Sequence, residues 1–191
     1  MNLERKGKIL RMIDNFYAVD CQLFRNINRY FDHKGLNIIL QTITHTGGAS
    51  FTIAATFLLM LFTNDVLQFT AIASALSLAT SHLPVSIIKK LYPRRRPYIV
   101  LDQINVTANP LRDHSFPSGH TTAVFSVIIP FVLYYPFLAI ILIPIASIVG
   151  LSRIYLGLHY PSDVIAGSIL GSATGVFSFM LIQYIFPHVY F

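Results

Sequence analysis

Five long apolar runs, separated by polar segments, most strongly constrain how this 191-residue chain folds. A helix needs about 20 residues to cross a bilayer, and each run fits once its ends lie among lipid headgroups. Charged residues make up 12% of the chain, against about 25% in soluble domains. The sequence therefore predicts an all-α, multi-pass transmembrane helical bundle with spans over residues 49–63, 66–88, 117–135, 137–153 and 161–186.

Small residues at every fourth position mark two of these spans as close-packing helices. The second span carries Ala71, Ala75 and Ala79, and the fifth carries Gly167, Gly171 and Gly175. Such ridges let a neighbouring helix approach closely. We therefore expect both ridges to face other helices inside the bundle.

The N-terminal segment, residues 1–35, differs in character from the rest of the chain. Residues 1–12 are basic, and apolar residues recur at near-helical spacing over 10–31, interrupted by charges that include Asp20. This segment is too polar to favour a crossing and predicts an amphipathic helix lying at the membrane interface. Packing of the same helix on the bundle is an equal alternative, and the two are compatible. The remaining residues, 36–191, form the predicted transmembrane domain.

Alternation of the spans brings three polar segments to one membrane face. The loop over residues 89–116 leaves the second span, the third span starts from the same face, and the fourth returns there at the stretch over 152–163. Ionisable residues gathered at one end of a membrane bundle indicate a functional site. We therefore expect these segments to form one site.

The stretch from Ser152 to Asp163 carries residues whose spacing suits a histidine nucleophile. Pro161 suits the first position of a helix, which places Asp163 in the first turn, where the helix dipole favours a carboxylate. His159 lies four residues before it, so the carboxylate could fix the imidazole tautomer and leave the other nitrogen free to attack an electrophile. Arg153 supplies a planar fork of donors suited to phosphate oxygens. The alternative is a polar interfacial loop whose charges are only solvated.

The third span opens with a pattern suited to anion binding. Pro117 also suits a first helical position, so the N–H groups of Ser118 and Gly119 are expected to point out of a helix start. Glycine allows the backbone to approach an anion closely, and His120, further into the first turn, could face the same cavity. The alternatives are a small-residue packing contact and a histidine bonded to a neighbour.

Three motifs, in order, resemble those of the type 2 phosphatidic acid phosphatase superfamily, which includes bacterial membrane lipid phosphatases and the vanadium haloperoxidases. They read Lys89-x6-Arg96-Pro97, Pro117-Ser118-Gly119-His120 and Ser152-Arg153-x5-His159-x3-Asp163. Every motif position is matched, and the resemblance extends over about residues 36–186. Similar lipid phosphatases often have a further spanning helix before this region, which this chain is expected to lack.

The resemblance implies a role for each motif residue. His159 would be the nucleophile that forms a phosphohistidine intermediate, and Asp163 would orient it and stabilise its charge. His120 would protonate the leaving group and then activate water. The phosphoryl oxygens would be held by Lys89, Arg96, Ser118, the Gly119 N–H and Arg153. Because these groups can neutralise phosphate as a metal would, we expect metal-independent hydrolysis without a cofactor.

Several polar residues of the long loop receive no role from the motifs. Asp113 and His114 border the expected site. Arg94, Arg95 and Arg112 are interpreted as attracting anionic headgroups or a second phosphate, with general contact to anionic lipid as the plain alternative.

The activity expected from the resemblance is that of a lipid phosphatase. Its substrate would be phosphatidylglycerol phosphate, phosphatidic acid or a polyprenyl diphosphate such as undecaprenyl diphosphate. One alternative is a phosphotransferase that shares the first half-reaction. Another is a transport or lipid-binding protein, which would not need a nucleophile, an orienting carboxylate and a second histidine together. The expected partner is a lipid phosphate in the membrane, and no nucleic acid.

The membrane side of the site receives two conflicting indications. With five spans, all 14 Lys and Arg residues lie on the face of the site, which the positive-inside rule makes cytoplasmic. Similar bacterial lipid phosphatases mostly work on the outer face of the cytoplasmic membrane. A sixth crossing within residues 10–46 would reconcile the two, at the cost of burying charges such as Asp20 and Arg25. Following the resemblance, we expect a site on the outer face.

Overall fold

A computed structural model of the chain describes the backbone of residues 3–190 and the side chains of residues 7–31 and 33–189. Within these residues the secondary structure is helical, with no strand. The helices are α1 (Leu3–Asn28), α2 (Lys34–Thr44), α3 (Ala49–Phe62), α4 (Asp65–Leu91), α5 (Pro97–Val100), α6 (Gly119–Tyr134), α7 (Ala139–Tyr155), α8 (Pro161–Ile185) and α9 (Pro187–Tyr190). The predicted all-α fold class is therefore confirmed.

The helices α3, α4, α6, α7 and α8 lie where the five spans were predicted, with ends that differ by a few residues. By length and composition, three segments of the described chain can cross a membrane: Asp65–Leu91, Pro136–Tyr155 and Pro161–Ile185. A fourth is added if Lys34–Gly47 and Ala49–Phe62, which meet at a bend of 56°, form one span. The apolar helix α6 has only 16 residues. The protein is thus a multi-pass membrane protein with three or four candidate spans, rather than five of full length.

The core of the bundle consists of α4, α6 and α8, which pack against one another, while α3 packs on α4 and α7 packs on α6. The glycine ridge of α8 faces α6, as predicted. A Cβ added to Gly171 would lie 2.4 Å from the carbonyl oxygen of Thr122, and one added to Gly167 would lie 2.7 Å from that of Ser118. Only glycine permits this approach of the two backbones, and it sets the position of the start of α6 relative to α8.

The alanine ridge of α4 is used differently from the prediction. Ala71 is fully buried, whereas Ala75 and Ala79 line an apolar cavity of about 260 Å³ between α3 and α4. The close contacts of α4 are made instead by buried serines: Ser74 donates to the Val127 carbonyl at 2.9 Å, and Ser77 lies 3.3 Å from the Thr174 hydroxyl. Small hydroxyl side chains combine close approach with a hydrogen bond across the helices.

Helix α1 packs on the bundle, which was one of the two alternatives considered for the N-terminal segment. Its buried positions are Asp20, Phe24 and Asn28, spaced four residues apart and turned toward α7 and α8. Asn28 donates to the carbonyls of Asn105 and Tyr155 at 2.8 and 2.9 Å. Large apolar residues such as Phe16 stay exposed on the outer side. The helix therefore packs on the end of the bundle and presents an apolar surface suited to lipid.

The two helix starts at the expected site differ from each other. Pro161 is the first residue of α8, as predicted. The prediction for Pro117 is wrong, because α6 begins two residues later, at Gly119, with Ser118 as its N-cap. The Ser118 N–H donates to the Asp163 carbonyl at 3.0 Å. This bond holds the residue in an extended conformation against α8, so the helix starts only after it.

Candidate functional site

The three polar segments meet at one end of the bundle around a cavity of about 350 Å³. Five of the eight motif side chains or backbone groups singled out above line it: Lys89, Arg96, Gly119, His120 and His159. The other three lie beside it in different ways. Asp163 is buried behind the histidine, Ser118 is buried at the N-cap of α6, and Arg153 lines a neighbouring cavity.

His159 is held between a cation and a carboxylate, with only 1% of its surface exposed. Its Nε2 lies 3.0 Å from Nη1 of Arg96. Because a guanidinium can only donate, Nε2 must accept, which places the imidazole proton on Nδ1. Burial lowers the pKa of His159 to about 4, although the carboxylate of Asp163 opposes this. The ring is therefore neutral at pH 7 and carries a lone pair on its Nε2 side.

The contact between His159 and Asp163 is supplemented by a residue that no motif indicated. The Nδ1 to Oδ2 distance is 3.6 Å, longer than a hydrogen bond. The hydroxyl of Ser115 lies 3.4 Å from Nδ1 and donates to the same Oδ2 at 2.5 Å. Ser115 thus links the histidine to its carboxylate. It stands just before the Pro117 motif, and its only signal in the sequence is that proximity.

Asp163 is a fully buried carboxylate that accepts several hydrogen bonds. It accepts from the Tyr160 N–H at 2.9 Å, which caps the start of α8, in addition to Ser115. Its other oxygen accepts from Nη1 of Arg94 at 2.7 Å. A carboxylate held by this many donors keeps its charge and its orientation.

Arg94 is not a free cation that attracts anionic headgroups, as the sequence suggested, because it is bound to two carboxylates. Its guanidinium bridges Asp163 and Asp20, with Nη2 2.7 Å from an oxygen of Asp20. It also donates to the Ser162 hydroxyl at 2.7 Å and lies 3.8 Å from the centre of the Tyr160 ring. Nothing in the sequence distinguishes Arg94 from its neighbour Arg95, whose side chain is exposed.

The cations Lys89 and Arg96 share one carboxylate, Asp113, whose side chain is 52% exposed. Lys89 bonds to one oxygen, and Nη2 of Arg96 donates to the other at 2.6 Å. Arg96 also donates to the main-chain carbonyls of Asp113 and Leu158, both at 2.8 Å. Burial alone would raise the pKa of Asp113, but hydrogen bonding to Lys89 and the charge of Arg96 lower it to about 2. A stable anion thus occupies the pair of cations predicted to bind phosphate.

The start of α6 is only partly free for an anion. The amide of Ser118 is committed to the Asp163 carbonyl, and its hydroxyl accepts from Thr121 at 2.9 Å. The prediction that both the Ser118 and Gly119 amides point outward is therefore wrong for Ser118. A Cβ built on Gly119 would meet no atom within 4 Å. The open space at Gly119 leaves room for an anion beside the first helical residue.

His120 lines two cavities: the one of about 350 Å³ described above, here called the main cavity, and a second one of about 300 Å³. Arg153 lines the second cavity, where it donates to the Thr44 hydroxyl at 2.8 Å. Arg153 is 3% exposed, and its Nε has no hydrogen-bond partner. A buried donor without a partner is costly, and a phosphate oxygen would supply one. Arg153 and Arg96 therefore approach the region of His120 from two different cavities.

Gly47 and Gly48, which directly precede α3, pack on His120. A Cβ at Gly47 would lie 2.9 Å from the His120 carbonyl oxygen, and one at Gly48 would lie 3.7 Å from its Nε2.

Among the described residues, no group of three or more His, Cys, Asp or Glu side chains is placed to hold a metal ion.

Fold and site together define a helical membrane protein with two histidines, two arginines and a lysine gathered at one bundle end. The family model of the PAP2 superfamily matches residues 70–187, which contain all three motifs. The chain therefore belongs to the PAP2 superfamily, and the resemblance inferred from the motifs is confirmed.

Individual relatives extend this match. Undecaprenyl-diphosphatase of Sulfolobus acidocaldarius is 30% identical over 152 residues, 79% of this chain and 72% of that protein. The crystal structure of a transmembrane PAP2 type phosphatidylglycerolphosphate phosphatase from Bacillus subtilis superposes with a TM-score of 0.71 at 26% identity. The superposition covers 92% of this chain and 88% of that one.

Some relatives are matched over less than half of their own length. Lipid A 1-phosphatase of Rhizobium etli is 37% identical over 95 residues, 48% of this chain and 41% of that protein.

Proposed function

We propose that this protein is an integral-membrane lipid phosphatase that hydrolyses a phosphomonoester or diphosphate of a lipid through a phosphohistidine intermediate. The observation that carries the proposal is the placement of His159. Its lone pair lies on the side of the cation Arg96, and its Nδ1 side is backed by Ser115 and Asp163. This is the arrangement of an activated nucleophile next to a site for anionic oxygens.

In the first half-reaction, Arg96 exchanges its hydrogen bond to Nε2 of His159 for one to a phosphoryl oxygen, which frees the lone pair. Nε2 then attacks phosphorus, and the bond from phosphorus to the leaving oxygen breaks. His120 donates a proton to that oxygen. Lys89, Arg96, Arg153 and the Gly119 N–H stabilise the charge on the phosphoryl oxygens, and Asp163 stabilises the positive charge that develops on His159. In the second half-reaction His120 takes a proton from water, which attacks the phosphohistidine and releases phosphate. These cations take the role of a metal ion, so the proposed reaction needs none.

A lipid substrate is supported by the surroundings of the site. The apolar cavity between α3 and α4 shares His82 with the main cavity, so an apolar chain could extend from the phosphate site along these helices. Three relatives are named for lipid A, undecaprenyl diphosphate and phosphatidylglycerol phosphate. For this chain we propose phosphatidylglycerol phosphate, phosphatidic acid or undecaprenyl diphosphate, hydrolysed at the outer face of the membrane.

The experiment that tests the proposal measures phosphate release by the purified protein from this panel of lipids. The wild type is expected to release phosphate with or without EDTA. His159→Ala is expected to lose at least about 1,000-fold in kcat, as nucleophile variants do, and to lose the acid-labile phosphate trapped on the wild-type protein. Transfer of phosphate to an added alcohol in place of water would identify a phosphotransferase instead. An active His159→Ala protein would contradict the nucleophile assignment.

A further inference from the structure

A carboxylate on the N-terminal helix α1 is joined through Arg94 to Asp163, the carboxylate beside His159, by an unbroken series of polar contacts. Asp20 is 4% exposed. It accepts from Nη2 of Arg94 at 2.7 Å and from the N–H and hydroxyl of Ser162 at 2.9 and 2.5 Å. Arg94 in turn donates to Asp163, which lies beside His159. Helix α1 lies outside the residues that match the PAP2 family model, 70–187.

Two further contacts bring α1 to the same place. The rings of Tyr17 and Phe24 each lie 5.9 Å from the ring of Tyr160. The main-chain N–H of Tyr160 donates to Asp163, and its ring stacks under Arg94. One face of α1 therefore contacts the short segment that follows His159 and caps α8.

The charges in this network indicate what Asp20 does. One guanidinium, that of Arg94, is shared between two carboxylates, so neither is neutralised by it alone. If Asp20 were uncharged, Arg94 would pair with Asp163 alone and reduce its capacity to stabilise positive charge on His159. Arg94 would also lose the partner that fixes its outer nitrogen, and Asp163 would be held less firmly.

We infer that Asp20 is a positioning residue for the reaction, acting through Arg94 on Asp163 and hence on His159. The inference rests on the proposed phosphatase function. It makes α1 part of the catalytic apparatus as well as a surface helix: the helix that exposes an apolar side also supplies a charge to the network of Asp163.

The test compares Asp20→Asn with Asn28→Ala, because both residues are buried polar anchors of α1 and only Asp20 reaches Arg94. Asp20→Asn is expected to lower kcat about 10- to 100-fold, the loss typical of groups that hold a catalytic residue's partner, with KM nearly unchanged. Asn28→Ala is expected to lower the melting temperature without lowering kcat. An unchanged kcat in Asp20→Asn, or a kcat loss in both variants that follows their melting temperatures, would overturn the inference.

A second variant keeps the test decisive if Asp20→Asn does not fold. Arg94→Gln breaks the charge link to Asp163 but leaves Asp20 bonded to Ser162, so α1 stays anchored. Its kcat is expected to fall with KM nearly unchanged, because Asp163 loses the donor that holds one of its oxygens, and an unchanged kcat in Arg94→Gln would overturn the inference even if Asp20→Asn does not fold. Where Asp20→Asn folds, adding it to Arg94→Gln should lower kcat no further, because the two residues act in series. Independent, additive losses in the double variant would show that Asp20 does not act through Arg94.

A readout that needs no turnover separates this inference from the proposed function. Nitrogen-15 spectra of histidine-labelled protein report the ring nitrogens of His159, assigned by their loss in His159→Ala. Asp20→Asn is expected to shift the Nδ1 resonance, and Asn28→Ala to leave it in place. If the wild type released no phosphate from any lipid, the phosphatase proposal would fail, and the resonance would still decide the coupling. An unmoved resonance would refute the inference even in an active enzyme.

Discussion

At the scale of single residues, the site is a set of charged groups that burial holds next to their hydrogen-bond partners. Arg96 is fully buried and reaches both His159 and Asp113, so the same cation contacts the proposed nucleophile and the exposed anion beside it. The exposed Asp113 is the member of this set that an incoming phosphate can replace. The chemistry proposed here therefore begins with an exchange of anions on Lys89 and Arg96.

Replacing Asp113 by Asn is expected to lower KM for the lipid phosphate by about three- to tenfold, because a competing anion is removed from the two cations. The carboxyl has a pKa of about 2, so it is ionised throughout the neutral range. Ionisation of Asp113 should therefore add no pH dependence to the ratio of the two KM values between about pH 5 and about pH 8.

The matched control is Asp102→Asn, which removes a charge from an exposed side chain of the same loop. Its KM should change little. A higher KM in Asp113→Asn would mean that Asp113 serves mainly to position Arg96.

The lowered pKa of Asp113 also has a consequence for stability: the ion pair stabilises the fold above the ordinary pKa of about 4, and that contribution is lost as the pH falls through about 2.

Removal of the imidazole of His120 is expected to depend on the leaving group. For a lipid phosphate, whose alkoxide needs a proton, His120→Ala should lower kcat about 100- to 10,000-fold. An aryl phosphate leaves without such help, so its loss should be much smaller in steady-state assays of both substrates. Equal losses with the two substrates would assign His120 to binding alone.

At the scale of elements, the contact of α6 with α8 sets the geometry of the site. The glycine ridge of α8 lets the two backbones touch, and the bond from the Ser118 N–H to the Asp163 carbonyl joins the two helix starts. The start of α6 and the residues that follow His159 are thereby held as one unit. Any change that separates these helices should disturb both stability and activity.

Gly171→Ala is expected to destabilise the protein, because the new Cβ would lie 2.4 Å from a backbone oxygen and 2.9 Å from Cβ of Phe125. Overpacking of this kind costs about 1–3 kcal/mol, or a fall of several degrees in melting temperature in detergent. Gly35→Ala is the control, since its added Cβ meets no atom within 4 Å and it lies in a helix. Equal melting temperatures for the two variants would contradict the close approach of α6 and α8.

At the scale of the whole molecule, the two ends of the bundle differ in their positive charge. The turn between α3 and α4 lies at the opposite end of α4 from Lys89, whereas α1, the long loop and the start of α8 are joined by hydrogen bonds at the site. The positive charge thus gathers at the end that we propose to face outward. This conflicts with the positive-inside rule, so orientation needs a direct test.

Cysteine labelling of intact cells provides that test. With Cys21 replaced by serine, Ala108→Cys places an exposed thiol in the loop at the site, and Asn64→Cys places one in the turn at the other end. A membrane-impermeant thiol reagent is expected to label Ala108→Cys in intact cells and Asn64→Cys only after permeabilisation. The reverse pattern would place the site in the cytoplasm.

The sequence by itself determined the helices and the motif residues. Apolar runs and prolines are local signals, since a helix is stabilised by bonds between residues four apart and a span by its own length. Five helices and the start of α8 at Pro161 could therefore be predicted. So could the meeting of Lys89, Arg96, His120 and His159 at one end, which follows from alternation across the membrane.

Only the tertiary structure decided which partner each charge has. Three consecutive arginines show this: Arg94 bridges Asp20 and Asp163, Arg95 is exposed, and Arg96 is buried against His159. The residues bonded to Arg94 are 74 and 69 positions away in the chain. Hydrogen bonds depend on distances of a few tenths of an ångström between side chains of different helices. Those distances are set by helix packing, such as the glycine contacts of α8, and not by any pattern within one segment.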